Sequence, residues 1–120
     1  MRQIKITVNG EELSATLADN SSARALADLL AEGPITVEME DYSGFEKVGD
    51  LGTTLPRNDT QISTEPGDLI LYQGSNFVIY YGNNSWSLTR LGKIDDLSAQ
   101  ELQRILGTGA VTVELSLAQG

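Results

Sequence analysis

The stretch Ile4-Lys5-Ile6-Thr7-Val8-Asn9-Gly10-Glu11-Glu12-Leu13-Ser14-Ala15-Thr16-Leu17 decides the fold class. Ile4, Ile6 and Val8 alternate with polar residues, and so do Leu13, Ala15 and Leu17, which is the period of a strand with one apolar face. Between the two runs, Asn9-Gly10 tolerates the paired positive φ angles of a type I′ turn, so the segment reads as an antiparallel hairpin. Such a hairpin begins an antiparallel sheet with one buried face.

Downstream of it, a helix is predicted: Asn20 or Ser21 can cap it, Ala23, Leu26, Leu29 and Leu30 share a face, and Gly33-Pro34 stops it. Ile35, Val37 and Met39 form a third alternating strand with Glu38 and Glu40 on its other face. From Asp41 to Gly67 the periodicity loosens around Gly44, Gly49, Gly52, Pro56 and Pro66, and only a short strand around Glu46–Val48 is predicted. So long an irregular stretch reads as a functional excursion. Leu69–Tyr72 and Phe77–Tyr81 then form a hairpin across Gly74-Ser75-Asn76, apolar on both faces and so covered on both sides. A strand over Trp86–Leu91 follows. Ser98-Ala99-Gln100-Glu101 is a capping box for a second helix, with Leu97 placed to staple against Leu102 and Gly107 ending it. Val111 to Leu117 alternates as a last strand.

The fold class is therefore mostly β, a closed barrel of about eight strands with two short helices, formed as one domain over residues 1–120. Closure is expected because hairpin-rich sheets of this size must hide their edges.

Composition narrows the chemistry. Cysteine and histidine are both absent, which excludes disulfides, thiolate metal sites, Cys nucleophiles and Ser-His-Asp hydrolysis. Seventeen acidic against eight basic residues give a net charge of −9, a field that repels phosphates and anionic headgroups. Neither nucleic acid nor a membrane is expected as a partner, and no cofactor is called for. No signal-peptide pattern is visible, so the expected compartment is the cytoplasm.

The chain resembles the small bacterial cyclophilin-like barrel proteins. The resemblance rests on Met39-Glu40-Asp41-Tyr42-Ser43-Gly44, Glu46-Lys47-Val48-Gly49 and Leu55-Pro56, and continues through Gly67-Asp68-Leu69-Ile70-Leu71-Tyr72, Asn76-Phe77-Val78-Ile79-Tyr80-Tyr81-Gly82 and Thr89-Arg90-Leu91-Gly92-Lys93-Ile94. It implies an eight-stranded barrel capped by helices and no established activity. The Phe-His-Arg signature of the true peptidyl-prolyl isomerases has no counterpart, and neither Arg57 nor Arg90 sits in a matching motif.

Three constellations could form a site. Glu46-Lys47 beside Tyr42 could line a pocket mouth, with an exposed ion pair as the plainer alternative. Arg90 shares a strand face with Trp86 and Leu88 and could stack on and bond a planar or anionic ligand; pairing with a carboxylate is the alternative, and Arg57 has a weaker claim to the same job. Among the aromatic residues Tyr72, Tyr80, Tyr81 and Trp86, one face could floor a groove, or could simply lie under a loop. Glu38, Glu40, Asp41, Glu46 and Asp50 lack the spacing of a metal or acid–base site and read as a solvated face.

The sequence thus predicts a side cleft formed by Tyr42, Glu46, Lys47, Arg57, Asn76, Tyr80, Trp86 and Arg90, walled by the Tyr42–Pro56 segment and the strands from Tyr80 to Arg90. Its expected occupant is a small molecule or an extended peptide. Proline isomerisation and a purely structural or interaction role are the two alternatives.

Overall fold

The computed structural model describes residues 3–42, 46–95 and 97–118; Met1, Arg2, Ser43, Gly44, Phe45, Asp96, Gln119, Gly120 and the side chain of Tyr42 lie outside that set. Nine strands and two helices follow one another as β1 (Gln3–Val8), β2 (Glu11–Leu17), α1 (Ser21–Ala31), β3 (Ile35–Tyr42), β4 (Glu46–Asp50), β5 (Thr60–Thr64), β6 (Asp68–Tyr72), β7 (Asn76–Tyr80), β8 (Asn84–Ile94), α2 (Ala99–Leu106) and β9 (Val111–Leu117) among the described residues. The opening hairpin forms with Ile6 opposite Leu13, and Asn9 and Gly10 take φ of 50° and 80°.

Hydrogen bonding runs β2-β1-β9-β3-β4-β7-β6-β8, every pair antiparallel, and β8 returns to β2 through Ala15 opposite Ile94 and Leu17 opposite Gly92. That last pairing closes an eight-stranded barrel. β5 is the extra strand, attached only to the first half of β8 with Ile62 opposite Trp86. The alternating residues read from the sequence point inward: Ile4, Ile6, Ala15, Val37, Met39, Leu69, Leu71, Phe77, Ile79, Val113 and Leu115 are fully buried in one core. Each large side chain removed from water there contributes roughly 1.5–3 kcal/mol. Leu26 of α1 and Leu102 and Ile105 of α2 pack into the same core.

Both helices are capped as the sequence predicts. The Asn20 side chain accepts from the Ala23 N–H at 2.8 Å, and Ser98 accepts from the Glu101 N–H at 3.2 Å. Two glycines let strands meet closely. A Cβ on Gly49 would collide with the Glu38 carbonyl and Val37, and one on Gly92 with the Thr16 carbonyl where the barrel closes.

From Glu46 to Gly67 the excursion is more ordered than expected. Its first part is β4, inserted between β3 and β7. The part after it turns inward: Leu51 and Leu55 join the core, and their N–H groups bond Ser75 and Gly74 carbonyls at 2.9 and 2.8 Å. Ser22 of α1 donates to the Pro56 carbonyl, and the Asn58 N–H donates to Thr89 Oγ1 at 2.9 Å. The expected outward wall over Tyr42–Pro56 is therefore corrected to an interior strand followed by a pinned loop. β5 escaped the sequence reading because Ile62 is the one apolar residue in Thr-Gln-Ile-Ser-Thr, so no alternation marks it.

Candidate functional site

Residues opposite one another on neighbouring antiparallel strands point to the same side. Lys47 opposite Ile79 and Gly49 opposite Phe77 face the lumen, whereas Glu46 opposite Tyr80 and Val48 opposite Val78 face outward. The outward side continues across β6 and β8, with Ile70 opposite both Val78 and Arg90. On it lies a second apolar cluster, Ile70, Val78, Tyr80 and Leu88, with Val48, Ile62 and Tyr72 packed around it. The β5–β8 ribbon supplies Ile62 and Leu88, which explains why β6 and β7 are apolar on both faces.

Five of the predicted cleft residues share this outward face: Glu46, Asn76, Tyr80, Trp86 and Arg90. Trp86 is 58% exposed and is the large apolar side chain left open to solvent among the described residues. Arg90 is half-exposed and lies 3.3 Å from the buried carboxylate of Asp68, which also accepts from the Glu65 N–H at 2.8 Å. Tyr80 is buried, with the Asn84 amide 3.3 Å from its hydroxyl. Glu46, also buried, has its carboxyl pushed up to about 7, chiefly by loss of water and in part countered by a hydrogen bond with Tyr80. Burial raises the Tyr80 phenol as well.

Two predicted residues lie elsewhere. Lys47 is not at a pocket mouth and does not pair with Glu46, because consecutive strand residues point to opposite sides. Its side chain is fully buried, with Nζ 2.7 Å from Asp41 Oδ1 and 2.5 Å from the Gly109 carbonyl. Arg57 bonds Asp59, whose other oxygen accepts from Thr89 Oγ1 at 2.7 Å; Thr89 points away from Arg90 along β8, so the two guanidinium groups lie on different sides of the strand. Tyr42 pairs with Glu46 through its backbone, and its side chain is outside the described residues.

The sequence reading did not assemble the polar group at the α2 end of the lumen. Asp41, opposite Lys47, accepts from its ammonium, from the Tyr81 hydroxyl at 2.8 Å and from the Gly109 N–H at 2.6 Å. Those donors, Lys47 foremost, hold the Asp41 carboxyl at about 2, while burial and then Asp41 push the Tyr81 phenol up to about 12. The usable signal was present: Tyr81 continues the Phe77, Ile79 parity into the lumen, as Asp41 continues Val37 and Met39. Among the described residues no cluster of three carboxylates could hold a metal ion, and Glu38 and Glu40 are exposed.

Residues 6–116 match the model of the cyclophilin-like family. No curated protein matches the chain. Among solved structures, McbB in complex with tryptophan superposes with a TM-score of 0.70 at 16% identity, over 94% of this chain and 44% of McbB. The hypothetical protein AF2241 from Archaeoglobus fulgidus superposes at 0.69 with 17% identity, over 98% of this chain and 95% of AF2241. The chain thus spans less than half the length of McbB and nearly all of AF2241, and at these identities the likeness is one of fold.

Proposed function

The chain belongs to the cyclophilin-like family, and from that premise we propose that it is a binding module whose outward face takes a flat small molecule or an extended peptide at the exposed Trp86 and Arg90 of β8, beside the covered cluster. The observation that carries this reading is Trp86, an indole left 58% exposed beside a buried apolar cluster on the same face. An aromatic ring or a proline ring laid on the indole would cover apolar area at little entropic cost, and Arg90 can donate to a carbonyl or carboxylate next to it. The Arg90–Asp68 contact of 3.3 Å fixes the guanidinium without using all five of its N–H donors. McbB, 44% of which superposes on this chain, was solved in complex with tryptophan, and a planar ligand on a protein of related fold lends support to this reading.

Proline isomerisation draws less support. It requires an open apolar pocket beside a donor, and Ile70, Val78 and Leu88 are already covered by the β5–β8 ribbon. A protease-coupled assay on Xaa-Pro peptides checks it directly, with the uncatalysed rate as the expected result.

Trp86 is the single tryptophan of the chain, so its emission reports this face alone. Titration with libraries of aromatic small molecules and of extended peptides should give saturable emission changes for some members, with Arg90→Ala weakening them by about tenfold, the equivalent of ~1.4 kcal/mol. Emission that stays unmoved by every member defeats the proposal.

A further inference from the structure

At the α2 end of the barrel, on the lumen side of the strands and away from Trp86, Asp41 and Tyr81 line a cleft of about 500 Å³. Its walls come from α2 and the turn after it: Gln100, Gln103, Arg104 and Thr108. We propose that this cleft is a second binding site, one for a neutral polyhydroxy ligand of the size of a mono- or disaccharide.

Three properties of the lining argue for that chemistry. The volume lies within the usual range for small-ligand sites and exceeds what a few ordered waters need. The lining side chains offer hydroxyl, amide, carboxylate and guanidinium groups, so both hydrogen-bond donors and acceptors face the cleft, as a ligand rich in hydroxyls requires. The charges are already matched: Lys47 lies 2.7 Å from Asp41, and Arg104 lies 3.4 Å from Glu11. An ion entering the cleft would meet no uncompensated partner, whereas a neutral polyol loses only hydrogen bonds that the walls replace.

Asp41 is the anchor. A carboxylate offers about four lone-pair positions, and Lys47, Tyr81 and Gly109 fill three of them, which leaves one on Oδ2 for a ligand hydroxyl. Its three donors hold the group still, so the ligand finds the acceptor already oriented. The Gln103 amide, whose Nε2 lies 3.4 Å from the Tyr81 carbonyl, is weakly engaged and free to turn toward a ligand. Gln103 and Arg104 are exposed on α2, so truncating them spares the core.

The test is a titration of ¹⁵N-labelled protein with glucose, galactose, maltose and cellobiose, with gluconate and glucosamine as charged counterparts. At least one neutral sugar should move the Thr108 and Gly109 amides and the Gln103 side-chain amide saturably. Gln103→Ala and Arg104→Ala should each weaken that sugar by about tenfold or more, and Trp86→Ala should leave it unchanged, which separates this site from the outward face. The proposal is overturned if no sugar gives a saturable shift, if both α2 variants bind as the parent does, or if the charged counterparts bind more tightly than the neutral sugars.

Discussion

Replacing Glu46 by Gln should stabilise the protein by an amount that pH controls. The Glu46 carboxyl is 7% exposed, and burial lifts its pKa from 4.5 to about 7. Between those two values the folded protein holds a proton that the unfolded chain has released. Stability conferred by the neutral carboxyl is therefore complete below 4.5, falls as pH rises through the window, and levels off above 7. At about 1.4 kcal/mol per unit, the shift corresponds to about 3 kcal/mol, or two orders of magnitude in the unfolding equilibrium. Glutamine has nearly the same shape and no charge at any pH, so Glu46→Gln should gain about that much near pH 8 and almost nothing near pH 4. Urea unfolding of both proteins across this range measures the difference, provided the slopes stay equal. A gain that does not vary with pH means that folding leaves the Glu46 pKa unshifted, and a loss near pH 8 means that the carboxylate is stabilised in its charged form; either result refutes the argument.

Other substitutions test the rest of the structure. Asp41→Asn leaves the Lys47 ammonium buried without a counter-charge and should cost about 3–5 kcal/mol, whereas Lys47→Met, which leaves only the partly exposed Asp41 unpaired, should cost less by urea denaturation. Because the Asp41 carboxyl is held at about 2, its contribution is present above 3.8 and disappears as pH falls through 2; the gap between parent and Asp41→Asn should narrow over that acid window. Gly92→Ala should lower thermal stability by at least about 1–3 kcal/mol through overpacking where β8 meets β2. Trp86→Ala should change stability by no more than about 0.5 kcal/mol, since the indole is mostly in solvent.

Much of the barrel was legible because period two survives wherever one face meets the core. The β1–β2 hairpin, β3, β9 and the caps of both helices stand where Ile4 to Leu17, Ile35 to Met39, Val111 to Leu117, Asn20 and Ser98 predict them. β5 is not legible, since an edge strand paired only with β8 among the described residues, with Ile62 as its one apolar contact with the outward cluster, shows no apolar alternation. The expected strand over Trp86–Leu91 is shorter than β8, because an irregularity in its pairing with β6 between Leu69 and Ile70 breaks the parity near Gly92. For the candidate site, parity alone placed Trp86, Leu88 and Arg90 together, but proximity in sequence misled at Glu46-Lys47. One residue in a strand separates an outward carboxyl from an inward ammonium, and only the partner strand reveals which is which.

The outward face can be interrogated at atomic resolution through the Trp86 indole N–H. In ¹⁵N spectra recorded with a library of planar fragments and extended peptides, binding members should shift that resonance together with the amides of Tyr80 and Arg90. If binders instead move only residues off this face, or none moves the indole, the face is ordinary surface and the binding-module account is contradicted.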